Sequence, residues 1–193
     1  MPQLIVIGTS LGGLTALPVL LQTLSPALST PIAIVQHRHR DSRSGLLDFL
    51  QPYTTLSLRE VEDKDPIQPR TIYLAPADYH LLVESHQFAL SIDEPVSFAR
   101  PSIDVLFETA AESFGKEAIG VILTGANQDG AQGAATLKAQ GGTVIIQDPT
   151  TAESPIMPAA VQANTSVDWV LPLTQIGSCL NHLCLATRKS RSS

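Results

Sequence analysis

Cysteine is scarce in this 193-residue chain: Cys179 and Cys184 are the only two. Both lie in the last apolar segment, without zinc-site spacing and too few for a disulfide framework. They read as two buried thiols in a reducing compartment. Long apolar runs are missing as well. Nothing approaches the roughly 20 consecutive apolar residues of a membrane span. The opening run Leu4-Ile5-Val6-Ile7 is too short for a signal peptide and has no basic leader. The expected location is cytoplasmic, with no membrane insertion. Basic residues are outnumbered, 12 Lys and Arg against 18 Asp and Glu, which argues against a nucleic-acid partner. Hydrophobic residues at 44% against 16% charged mark a globular chain, not a disordered one. There is no internal repeat. One domain is expected over residues 1–187, followed by a polar tail, 188–193, that reads as a frayed end.

What is present is an alternation of short β-branched runs with helical spacing. Strands are predicted at residues 4–7, 32–35, 55–61, 71–74, 119–123 and 143–146. Residues 79–84 and 88–92 sit close together and read as a hairpin. A Leu-rich stretch through Leu24 predicts a first helix, in which Pro18 is awkward unless it falls in the first turn or kinks the helix. Ile103, Leu106, Phe107, Ala110, Ala111 and Phe114 follow helical spacing, with Ser102 as N-cap and Gly115 as stop. A helix over 131–139 ends at Gly141-Gly142. Another is predicted to start at Met157-Pro158 with Pro158 in its first position, and a last one covers 176–186. The fold class this predicts is α/β: a doubly wound, mostly parallel sheet with helices on both faces and an antiparallel hairpin.

The chemistry-bearing residues fall at strand ends. Gly8-Thr9-Ser10-Leu11-Gly12-Gly13 follows the first strand and leads into a helix. It fits the G-x-S-x-G turn, which exposes a Ser hydroxyl where open α/β sheets bind ligands. A plain tight turn or a phosphate cradle fits the glycines too. The dinucleotide pattern G-x-G-x-x-G fails, however, because position 10 is Ser, and no Gly-Lys-Ser/Thr follows. A hydroxyl needs a base. His37 ends the second strand at the same sheet edge. His39 reads as a solvated loop residue, and His80, His86 and His182 as structural or exposed. Asp129 closes a loop after the strand at 119–123, where it serves either as the acid of a triad or as a helix N-cap. Asp148, at a fourth strand end, is its rival, and Asp104 and Glu108 suit the helix dipole after Pro101. The order Ser, His, Asp is not the Ser, Asp, His order of α/β-hydrolases. No His, Cys, Asp cluster has metal-ligand spacing.

Across roughly residues 4–170 the chain resembles the catalytic domain of the chemotaxis protein-glutamate methylesterase. The resemblance is carried by Ile7-Gly8-Thr9-Ser10-Leu11-Gly12-Gly13, Val35-Gln36-His37, Ile72-Tyr73-Leu74-Ala75-Pro76 with His80-Leu81, and Arg100-Pro101-Ser102-Ile103-Asp104. It continues through Leu123-Thr124-Gly125 with Asp129-Gly130-Ala131, then Gln147-Asp148 with Met157-Pro158. The resemblance implies a catalytic triad at Ser10, His37 and Asp129, and no cofactor. It implies hydrolysis of glutamate γ-methyl esters on the cytoplasmic helices of chemoreceptors, with deamidation of receptor glutamines in some members. It also leaves the amides of Leu11 or of the turn over 124–127 as oxyanion donors. Two departures flank the site: Arg38-His39 stands where the family has an apolar residue and Pro, and Ala126-Asn127 where it commonly has Met-Gly. A third is that the family's usual enzyme carries an N-terminal receiver domain. This chain opens on the first catalytic strand, so it reads as a natural standalone domain, a fusion fragment or an excised piece. A natural one is either unregulated or controlled by another chain, such as a receiver domain.

Overall fold

In the computed structural model, which describes residues 3–38 and 45–185, the first strand, β1 (Leu4–Thr9), is buried at all six positions. It lies in the middle of a seven-stranded sheet with β2 (Ile32–Gln36), β3 (Ser57–Glu60), β4 (Thr71–Leu74), β7 (Ala118–Ile122), β8 (Thr143–Gln147) and β9 (Trp169–Leu171). Every pairing in it is parallel, in the order β3-β4-β2-β1-β7-β8-β9. The strands β5 (His80–Glu84) and β6 (Gln87–Ser91) form a separate antiparallel hairpin.

Successive side chains of a strand point to opposite faces, and here both faces are covered. Leu4 and Val6 join a core with Phe107 of α3 (Ile103–Phe114), Leu137 of α4 (Ala131–Ala139) and Val161 of α5 (Ile156–Asn164). Ile5 and Ile7 join a second core with Leu17 and Leu20 of α1 (Gly13–Thr23) and Ile176 and Leu180 of α6 (Leu173–Leu185). That double covering is why the central strands read as unbroken apolar runs. The doubly wound α/β architecture is as the alternation predicts. The hairpin is tied to α3, since Val83 N donates to Thr109 Oγ1 at 3.1 Å and Ser113 Oγ donates to Val83 O at 3.0 Å.

Several boundaries differ from expectation. The short helix α2 (Leu46–Leu50) and the edge strand β9 were not anticipated. Helix α5 starts at Ile156, so Pro158 is its third residue and not its first. Proline is tolerated there because the first-turn N–H groups have no helical acceptor. Helix α6 starts at Leu173, three residues before the predicted 176. Pro18 sits well inside α1, beyond the first turn. The carbonyl it leaves without a helical donor is that of Leu14, a solvent-exposed residue. Cys184 is buried, but the turn of α6 leaves Cys179 only half-buried. The tail over 188–193 and His39 lie outside the described residues. Among the described residues no helix is long and apolar enough to cross a membrane.

The winding reverses at β1: β2, β4 and β3 extend to one side, and β7, β8 and β9 to the other. Such a switch point opens a crevice at the carboxyl ends of the strands. Register fixes what stands there. Thr9 pairs with Gln36 and Gly8 with Ile122, so the residues that follow β1, β2 and β7 emerge on one edge.

Candidate active site

The turn after β1 is held from both neighbouring strands. Ser10 N donates to Thr124 O at 3.0 Å, and Thr9 Oγ1 donates to the same carbonyl at 2.9 Å. From the other side, Gln36 Nε2 donates to Ser10 O at 3.0 Å and to His37 O at 2.8 Å, while His37 N donates to Thr9 O at 3.0 Å. One glutamine amide thus joins the two strand ends that carry Ser10 and His37. The turn closes through Gly12, in the left-handed region at φ 83°. Ser10 itself takes part only through its backbone N–H and carbonyl, which leaves its hydroxyl unengaged among the described residues.

The His37 side chain is 12% exposed and the Asp129 side chain not at all, and His37 Nε2 lies 2.7 Å from Asp129 Oδ2. Asp129 makes three further bonds. Its Oδ1 accepts from Ser102 Oγ at 2.8 Å and from Asp104 N at 3.0 Å, and its Oδ2 accepts from Ile103 N at 2.7 Å. Burial works to raise the pKa of this carboxyl. The His37 hydrogen bond and the N–H groups of Asp104 and Ile103 outweigh it, and hold the group below its ordinary 3.8. An ionised carboxylate only accepts, so the proton of neutral His37 sits on Nε2. Nδ1 is then a lone pair, and it faces the Asn127 amide, with Nδ2 at 3.3 Å. The two ring nitrogens are used in the opposite sense to the chymotrypsin template, in which Nδ1 meets the acid.

The structure therefore brings His37 and Asp129 into contact, and sets Ser10 with His37 at the edge of one cavity of about 580 Å³, with Asp129 buried behind them. Ser10, His37, Arg38, Phe98, Arg100 and Asn127 are among its walls. Arg38 turns its guanidinium away to Glu60 and to Ala75 O, at 2.9 Å from the latter. Arg100 reaches Asp78 Oδ1 at 2.7 Å and Ile92 O at 2.8 Å, which pins the loop that displays Phe98 at the rim.

The competing candidates are placed elsewhere. Asp148 caps its own turn, with Oδ1 accepting from Thr150 N at 2.9 Å. His86 and His182 are exposed. His80 is 2% exposed and structural: Ser102 N donates to its Nδ1 at 3.2 Å, and its Nε2 donates to Glu94 O at 3.1 Å. It thereby steadies Ser102, which steadies Asp129. Asp104 lies in the first turn of α3, as expected, but its side-chain hydrogen bonds go to another helix. Its Oδ1 accepts from Gly130 N at 2.9 Å and Gly133 N at 2.7 Å, at the start of α4. Sequence reading took Ser102 only as an N-cap and gave Gln36 no role. The one signal for Gln36 was a polar residue closing a strand otherwise wholly apolar. Among the described residues no three His, Cys, Asp or Glu side chains gather as a metal site.

Comparison with known proteins places the chain in a family. A protein of Leptospira interrogans, provisionally named as a protein-glutamate methylesterase/protein-glutamine glutaminase, is 47% identical over 90% of this chain and 91% of its own length. The protein-glutamate methylesterase/protein-glutamine glutaminase 2 of Anaeromyxobacter dehalogenans is 37% identical over 94% of this chain, which spans 53% of that longer protein. The crystal structure of the Thermotoga maritima CheB methylesterase catalytic domain superposes with a TM-score of 0.91 at 33% identity, covering 95% of this chain and 99% of that one. The model of the CheB methylesterase family matches residues 5–180. With that match over most of its length, the chain belongs to the CheB methylesterase family.

Proposed function

We propose that this chain is a serine hydrolase that removes γ-methyl esters from glutamate side chains on the cytoplasmic helices of chemoreceptors, and that it deamidates receptor glutamines by the same attack. The observation that carries the reading is the polarised His37. Its Nε2 is committed to a buried, ionised Asp129, and its Nδ1 lone pair stands beside a cavity that Ser10 also lines.

The roles follow from that polarity. The Ser10 Oγ attacks the ester carbonyl as its proton passes to His37 Nδ1, and Asp129 stabilises the imidazolium. The tetrahedral adduct collapses, the carbonyl–methoxy bond breaks, and His37 returns the proton to the departing methoxide as methanol. Water then enters, gives a proton to His37 and adds to the γ-glutamyl ester. The acyl–Oγ bond breaks, His37 returns the proton to Ser10 Oγ, and the glutamic acid formed loses its own proton to solvent. A glutamine releases ammonia in place of methanol by the same steps.

The test is methanol release from methylated receptor cytoplasmic fragments, comparing the protein with Ser10→Ala, His37→Ala and Asp129→Asn. Each substitution is expected to lower turnover by about 10⁴-fold or more, with losses that do not add when combined. Full activity in Asp129→Asn together with loss in Asp148→Asn would transfer the acid role to Asp148.

A further inference from the structure

The Asn127 amide is held in one orientation by the site itself. Its Oδ1 accepts from Asp129 N at 3.2 Å, which turns the NH₂ and not the carbonyl toward His37. There Nδ2 lies 3.3 Å from Nδ1. That contact suits only an unprotonated Nδ1, as in the neutral ring whose single proton is held on Nε2 by Asp129. Asn127 also lines the cavity with Ser10 and His37. A side-chain donor is therefore anchored at the reacting edge, with the base as its resting partner.

We propose that the Asn127 side-chain amide is an oxyanion donor, and so a further catalytic residue; the assignment rests on the hydrolase reading above. When Ser10 adds to the carbonyl, its proton arrives on His37 Nδ1, which turns from acceptor to donor. The Asn127 NH₂ then loses its resting partner at the moment when negative charge appears on the carbonyl oxygen beside it. Rotation about the anchored amide re-aims N–H at that oxygen. An interaction made with the oxyanion and not with the ground-state ester lowers the barrier without tightening substrate binding.

The experiment measures kcat and KM for methanol release in Asn127→Ala and Asn127→Asp, alongside the rate at which a fluorophosphonate labels Ser10. Asp keeps an oxygen for Asp129 N and removes the donor, so it separates catalysis from folding if the Ala variant unfolds. The expected result is a fall in kcat of about 100-fold with KM changed by less than about threefold, and a parallel fall in labelling rate. Unchanged rates would overturn the proposal. So would faster rates, which would mean that the amide merely occupies the base. If the unsubstituted protein is labelled at Ser10 but releases no methanol, the methylesterase reading fails, and the labelling rates of the two variants still decide the role of Asn127. Absence of labelling in the unsubstituted protein would overturn both.

Discussion

Asp129 does two jobs that a single substitution can separate from those of Ser10. Its carboxylate orients His37, and it also satisfies the N–H groups of Ile103 and Asp104 at the start of α3. First-turn N–H groups have no partner in their own helix, and here the partner arrives from a loop 25 residues or more away in sequence. Asp129→Ala leaves two buried N–H groups and the Ser102 hydroxyl without that acceptor. Each such loss costs about 1–3 kcal/mol. Ser10→Ala removes a hydroxyl that holds nothing. Both variants should therefore be inactive, and only Asp129→Ala should unfold at markedly lower urea, by at least about 2 kcal/mol. Equal stability of the two variants would mean that the α3 cap is worth nothing. At this scale the sequence was readable in part. Ser10, His37 and Asp129 stood out because each follows a strand run at one edge. The cap reading pointed to the wrong helix: Asp129 accepts from the first N–H groups of α3, distant in sequence, while the N-cap position of α4 is Gly130, with no side-chain cap.

Elements come next, and the turns between them are tested by glycines that share a backbone angle but not a setting. Gly12 and Gly141 both have φ 83°, a region that costs an L side chain about 1–2 kcal/mol. A Cβ on Gly12 would also come within 2.8 Å of Glu153 Cβ and 2.9 Å of Thr124 Oγ1. Thr124 carries the carbonyl that holds Ser10 N. On Gly141, the nearest atom would be Lys116 Cβ, at an ordinary 3.5 Å. Gly141→Ala should lower stability by about 1–2 kcal/mol and leave turnover intact, whereas Gly12→Ala should displace Ser10 and reduce turnover at least tenfold. Thermal melts beside methanol release would show this, and matched activity losses would sink the distinction. The same elements show what a pattern can and cannot reveal. Strands β1, β2, β7 and β8 were legible because both their faces are buried. The edge strand β9 has three residues, none of them buried, and α2 spans barely more than a turn. Neither is long enough to display a period. Helix α5 was read from Pro158, yet Pro155 occupies its N-cap position, a choice between two prolines that composition does not make.

For the whole molecule, the reversal of winding at β1 gathers three loops at one crevice, and it also forces two carboxylates together beneath it. Asp104 and Asp129 sit 7% and 0% exposed, and no spacing rule relates the first turn of α3 to the loop after β7, so their pairing was invisible in the sequence. Burial raises the Asp104 pKa, the N–H groups of Gly133 and Gly130 oppose it, and the Asp129 charge adds to the rise, to about 6. Asp129 is held below 3.8 by His37 and the α3 amides in spite of its burial. The signs are opposite. The contribution of Asp129 to stability is present above its unfolded value and is lost as pH falls through its depressed folded pKa. For Asp104 the folded protein binds the extra proton between 3.8 and about 6, so its contribution declines as pH rises through that window and stays low above it. Asp104→Asn keeps an oxygen for Gly130 N and Gly133 N and removes the titration. Relative to the unsubstituted protein, the variant should gain stability as pH rises from 4 to 7, by about 2–3 kcal/mol. The comparison is urea unfolding of the two proteins at pH 4, 5.5, 7 and 8. A difference that stays flat across those values would mean that Asp104 is ionised throughout, and that the α4 amides outweigh both its burial and the charge of Asp129.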